Sequence, residues 1–120
     1  MWKKFGILKL MTIEDFQKFI DEQDALFRSV KSAGQTERER ILSRTVKISE
    51  EFGELCDEVL ASMGDQRTGK MEDRNIESLP DEFADVVITT FLLAKSMDVN
   101  IMEALEHKIK KIREKHNKQL

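Results

Sequence analysis

The residues Ile41, Thr45, Ile48, Phe52, Leu55 and Val59 follow one another at alternating intervals of four and three. That period belongs to a helix packed along a seam, and no strand presents it on one face. Ile101, Leu105, Ile109 and Ile112 make a second seam of the same kind. The chain has one proline and five glycines in 120 residues, and nowhere alternates with period two for long. An all-α fold follows: four helices in a bundle, forming a single domain over residues 1–120. With 40% aliphatic and aromatic residues the core is thin, and a chain this short is expected to finish its burial against another copy.

The breaks between helices are legible as caps. Thr12 caps the first helix, with Asp15 three residues on as a capping box, and an apolar face of Ile13, Phe16, Ile20 and Phe27 runs to about residue 30. Gly34 ends it. Thr36 opens a second helix over residues 36–63, which Gly64 stops. Residues 62–79 read as a long polar loop of the functional or mobile kind. Pro80 suits the first turn of a third helix, reaching residue 97. That helix is apolar on most sides and is expected at the centre, covered all round. Asn100 caps the fourth, with Glu103 three residues on. Residues 1–11 are expected to form an arm without a signal-peptide cleavage site, and residues 116–120 a frayed polar tail.

Composition narrows the function. The formal net charge of -3 argues against a nucleic-acid backbone as partner. The longest apolar run, residues 86–94, is too short to span a membrane. The lone cysteine, Cys56, reads as a small buried hydrophobe in a reducing, cytoplasmic setting. No glycine-rich phosphate loop is present.

The chemistry lies in the acids. On a wheel of about 100° per residue, Glu51, Glu54 and Glu58 form a stripe beside the seam of the second helix, while Glu50 points nearly opposite the core. Glu82 and Asp85 share a spacing of three on the otherwise apolar third helix, which makes them neighbours. Acids near a helix N-terminus are favoured by the macrodipole, which accounts for Asp81 and Glu82 better than for Asp85. The alternative is a divalent cation that relieves the repulsion of four converging carboxylates, all-oxygen ligation suiting Mg²⁺ or Mn²⁺. A di-iron site is disfavoured, because neither His107 nor His116 follows a glutamate by three. Lys108, Lys111 and Lys115 flank the fourth helix's seam, either as solvated cations near the helix end or as a phosphate clamp. Lys47 lies one turn before Glu51 and can join either group. Phe27, Trp2 and Arg67 are able to stack on a base, but each also has a duller core or surface reading.

The segments "KISEEFGELCDEV" and "DEFADVVITTFLLAKSMDVNIMEALEHKIKK" resemble the MazG-like nucleotide pyrophosphohydrolases of the all-α NTP pyrophosphatase superfamily. The shared pattern is E-E-x-x-E followed by E-x-x-D, carried here by Glu50, Glu51, Glu54, Glu82 and Asp85. The resemblance covers about residues 41–115. It implies a homodimer or dimer of dimers and metal-dependent cleavage of a nucleoside triphosphate to monophosphate and pyrophosphate. By that resemblance Glu51, Glu54, Glu82 and Asp85 would hold Mg²⁺ and Lys108 and Lys111 would meet phosphates; by their placement on the same stripes Lys47 and Lys115 would join them, and Glu50, or else Glu51 or Glu54, would serve as base. Where many members have Asn and Arg after the first lysine of the last helix, this chain has Ile112 and Lys115. A non-catalytic helical adaptor and a nucleotide-binding accessory subunit stay open as alternatives.

Overall fold

The computed structural model describes residues 10–29, 34–64 and 78–119. The arm up to residue 9 and residues 65–77 of the loop, with Trp2 and Arg67, lie outside the described residues. Four helices follow in order: α1 Ile13–Ser29, α2 Glu37–Ser62, α3 Leu79–Ser96 and α4 Ile101–Gln119. There is no strand among the described residues.

The caps form as the sequence demands. The Asp15 N–H donates to Thr12 Oγ1 at 3.1 Å while the Thr12 N–H donates to Asp15 Oδ2 at 3.0 Å. The Glu39 N–H donates to Thr36 Oγ1, and the Glu103 N–H to Asn100 Oδ1, each at 3.1 Å. Each bond satisfies an N–H that the first turn of a helix leaves without a partner. Gly34 and Gly64 take φ of +88° and +77°, a left-handed backbone that a side chain opposes. α4 continues four residues past the point where the tail was expected to fray, since no proline or glycine follows Asn100.

α2 lies along α3 in the most extensive helix pairing, and α1 packs on α3. Phe16 of α1 meets Phe91 of α3 edge to face, with ring centroids 4.8 Å apart. Ile20, Ala61 and Leu92 form the buried apolar core. Charge does much of the remaining joining. Asp24 of α1, buried, pairs with Arg44 of α2 at 2.8 Å. Arg28 reaches Glu37 at 2.6 Å, and Lys95 of α3 reaches Asp21 at 2.9 Å.

Three expectations are corrected. Phe52, placed on the α2 seam, is exposed, and the buried residues of α2 are Glu51 and Ala61. The core of this chain therefore lies on the acidic side of the wheel direction set by the apolar seam. Cys56 is exposed for the same reason. α3 is not covered all round: Leu92 and Ser96 are buried, whereas Phe83 and Val87 face outward. α4 makes few contacts with any other helix, so Leu105, Ile109 and Ile112 remain 44–46% exposed. Among the described residues its apolar seam has no helix packed along it.

Candidate metal and nucleotide site

α2 and α3 lie side by side, and the acids of each meet in the groove between them. One carboxylate oxygen from each of Glu51, Glu82 and Asp85 lies within 4.8 Å of the others. Glu51 is only 7% exposed, and Glu82 and Asp85 are partly exposed. Glu51 Oε2 and Glu82 Oε2 are buried without a hydrogen-bond partner among the described residues. A buried carboxylate oxygen with no donor costs free energy unless something positive meets it.

The local electrostatics report that cost. Burial holds the Glu82 carboxyl above the usual carboxylate range, and the charges of Glu54, Asp85 and Glu51 push it the same way. Asp85 is raised first by burial and then by Glu51 and Asp81, with Lys47 pulling in the opposite sense. The Lys47 ammonium lies 3.1 Å from Glu51 Oε1 and 3.5 Å from Glu50 Oε2, and its pKa is raised chiefly by the hydrogen bond to Glu51. One lysine facing several carboxylates leaves an excess of negative charge. Closely spaced oxygens with unfilled acceptor capacity are what a hard divalent cation takes. The residues present therefore fit such an ion.

The other expected site residues sit less centrally. Glu54 is exposed and stands outside the three-oxygen cluster, though its charge reaches Glu82. Glu50 is exposed. Lys108, Lys111 and Lys115 are exposed on α4 and make no ion pair among the described residues.

A cavity of about 490 Å³ opens from the cluster and runs between the three packed helices. Lys47, Glu51 and Asp85 line it together with Phe27, Arg44 and Leu92. That volume is typical of a small-molecule site. Sequence reasoning passed over Arg40 and Arg44, which also line it. The signal was in the spacing. Residues 40, 44, 47 and 51 recur at intervals of four, three and four, one stripe that turns from basic to acidic along α2.

The MazG-like family model matches residues 42–119, more than half of the chain, and spans both acid pairs and α4. The chain belongs to the MazG-like family. Neither the comparison with curated proteins nor that with solved structures gives a match. In MazG-like terms the E-E-x-x-E residues lie on α2 and the E-x-x-D residues on α3, and it is Glu51, Glu82 and Asp85 that approach one another most closely. Membership points to nucleotide pyrophosphohydrolase-type activity. No helix among the described residues is long and apolar enough to cross a membrane.

Proposed function

We propose that this MazG-like chain hydrolyses nucleoside triphosphates to a monophosphate and pyrophosphate with Mg²⁺, for which Mn²⁺ can substitute. The observation that carries the reading is the convergence of Glu51, Glu82 and Asp85 oxygens within 4.8 Å, two of these residues, Glu51 and Asp85, also lining a cavity of about 490 Å³. Glu51, Glu82 and Asp85 are assigned to the cation, with Glu54 joining from the exposed side. When bound, the ion neutralises phosphoryl oxygens and acidifies water.

The remaining work falls to the chain's own groups. The Lys47 ammonium donates to a phosphoryl oxygen, a charge-assisted bond of the stronger kind. Water attacks the α-phosphorus, its oxygen forming the new P–O bond. The bond from that phosphorus to the α–β bridging oxygen breaks, and pyrophosphate leaves with the electron pair. The proton passes to a carboxylate. Glu50 is assigned as base because it stands beside Lys47 outside the three-oxygen cluster, and Glu51 is the alternate acceptor.

Lys108, Lys111 and Lys115 are assigned to the outer phosphates in a homo-oligomer. The support is the exposed seam of Leu105, Ile109 and Ile112, which a second copy would cover, and the absence of ion pairs for these lysines among the described residues. A single cysteine and no pairing partner fit a cytoplasmic protein.

Incubation with a panel of (d)NTPs and Mg²⁺, followed by measurement of pyrophosphate and monophosphate, tests the reading. Orthophosphate and diphosphate would mean attack at the γ-phosphorus. No turnover and no thermal stabilisation by millimolar Mg²⁺ would leave a helical adaptor.

A further inference from the structure

α4 is a helix without a buried face. Residues 103–118 are all exposed, the seam of Leu105, Ile109 and Ile112 among them. A lone helix of 19 residues is marginal in water, and an apolar stripe along it is what a neighbouring element normally covers. α2 has an uncovered stripe of its own. Leu42, Val46, Ser49, Gly53, Cys56 and Leu60 recur at intervals of four and three, half a turn around the helix from Glu51. All six are exposed, and Leu42, Val46 and Leu60 remain 42–58% so.

Gly53 lies in the middle of that stripe. A glycine inside a helix costs stability relative to alanine. Nothing among the described residues calls for it, since a Cβ added at Gly53 meets no atom within 4 Å. With Ser49 and Cys56 it leaves a notch of small residues between Val46 and Leu60, open to an approaching side chain.

Charge selects the occupant. From residue 48 to 62, α2 carries the acids Glu50, Glu51, Glu54, Asp57 and Glu58 and no lysine or arginine. From residue 107 to 119, α4 carries six lysines and arginines against one acid, Glu114. Pairing α2 with α2, or α4 with α4, sets like charges together, whereas α2 with α4 sets opposite ones together. Within one chain the two helices do not pack on each other extensively.

We propose that α4 of a second copy lays its Leu105, Ile109 and Ile112 seam on the Leu42, Val46 and Leu60 stripe of α2, with the Gly53 notch taking one of its side chains, and that the reciprocal contact closes a dimer. The assignment rests on the homo-oligomer reading given above and adds the face that receives α4. Glu50 and Asp57 border the α2 stripe at about 60–80° from it. Cations bordering the α4 seam therefore reach the acidic flank of α2 from the other copy.

Cross-linking reads the contact directly, because Cys56 is the only native thiol and lies on the stripe. In a Cys56→Ser background, Leu105→Cys, Ile109→Cys and Ile112→Cys each carry one thiol on α4 instead. Wild type and each variant are diluted together, reconcentrated so that subunits exchange, and treated with a short bismaleimide. For at least one variant the mixture should give several-fold more covalent dimer than either protein alone, with the link mapped to Cys56 and the α4 position. Mixtures no richer in dimer than their components overturn the inference. Gly53→Leu supplies a second reading. Its side chain meets no atom of its own chain at Cβ, so helix content should be kept, while the dimer dissociation constant from sedimentation should rise at least about tenfold. A helical variant that dimerises as tightly as wild type overturns the inference too. The two readings fail differently: a wild type that stays monomeric sinks the homo-oligomer itself, and a dimer linked through other positions sinks this face alone.

Discussion

Lys47 Nζ lies 3.1 Å from Glu51 Oε1, one turn along the same helix and at the edge of the three-carboxylate cluster. The ammonium occupies part of the electrostatic role that a divalent cation would fill. Replacing Lys47 by Gln should therefore separate two properties. Mg²⁺ affinity should rise about threefold or more, because a competing charge is gone. The efficiency of triphosphate cleavage should fall by roughly ten- to a hundredfold, with the loss mainly in KM, because the proposed phosphate donor is gone. Thermal-shift titration with Mg²⁺ and steady-state kinetics read the two sides, and weaker Mg²⁺ binding in K47Q would place the metal elsewhere.

Neutralising the raised acids should stabilise the empty fold and disarm it. Glu82→Gln and Asp85→Asn each remove a carboxylate held above its usual pKa by burial and neighbouring acids. Melting temperatures of the metal-free variants should rise by roughly 2–4 °C. Millimolar Mg²⁺ should then add nothing to either, whereas the wild type gains stability through mass action. Melting curves with EDTA and with Mg²⁺ are sufficient, and a metal-free variant less stable than wild type would contradict the account.

The same groups set a pH dependence of definite sign. An acid whose folded pKa exceeds its unfolded value binds more protons when folded across the interval between them, so stability falls as pH rises there. For Glu82 and Asp85 that interval begins at about 4 and extends upward. Metal-free protein should gain stability on acidification from neutral pH toward about 4.5. Below that range Asp15 and Glu37, both lowered by their hydrogen bonds, act in reverse, and their contribution is lost as pH falls through their folded values. Saturating Mg²⁺ should remove the upper slope, since the cation holds the acids ionised. Urea midpoints across pH, with and without Mg²⁺, check both limbs.

The open seam of α4 makes a prediction about assembly. Ile109→Glu places a charge in the middle of Leu105, Ile109 and Ile112, all of which are exposed in the single chain. Sedimentation should find the wild type as a dimer or larger and the variant as a monomer. The wild-type melting temperature should rise with protein concentration and that of the variant should not. Loss of turnover together with the dimer would tie Lys108 and Lys111 to a shared site.

Much of this was readable from residue types and spacing. Thr12 with Asp15, and Asn100 with Glu103, announced their helices because capping is local chemistry. The convergence of Glu51 with Glu82 and Asp85 was legible because two carboxylates three apart on an apolar helix have few reasons to be there. The core direction of α2 was misread because apolar residues cover two of its faces. Ile41, Ile48 and Leu55 turn partly inward, while Leu42, Val46, Phe52 and Leu60 stay exposed. A periodic pattern counts both faces alike and cannot say which one the same chain covers. Arg44 was missed for a related reason, since its placement depends on Asp24 and Ser96, which lie 20 and 52 residues away in the chain.

α1 is attached to its neighbours by carboxylates as well as by hydrocarbon, through Asp21 to Lys95, Asp24 to Arg44 and Arg28 to Glu37. Mobile ions weaken exposed links of that kind, while the burial of Ile20 is indifferent to them. Ionic strength therefore loosens one side of the cavity selectively, and the firmness of its Phe27 wall becomes a property of the surrounding medium as much as of the protein.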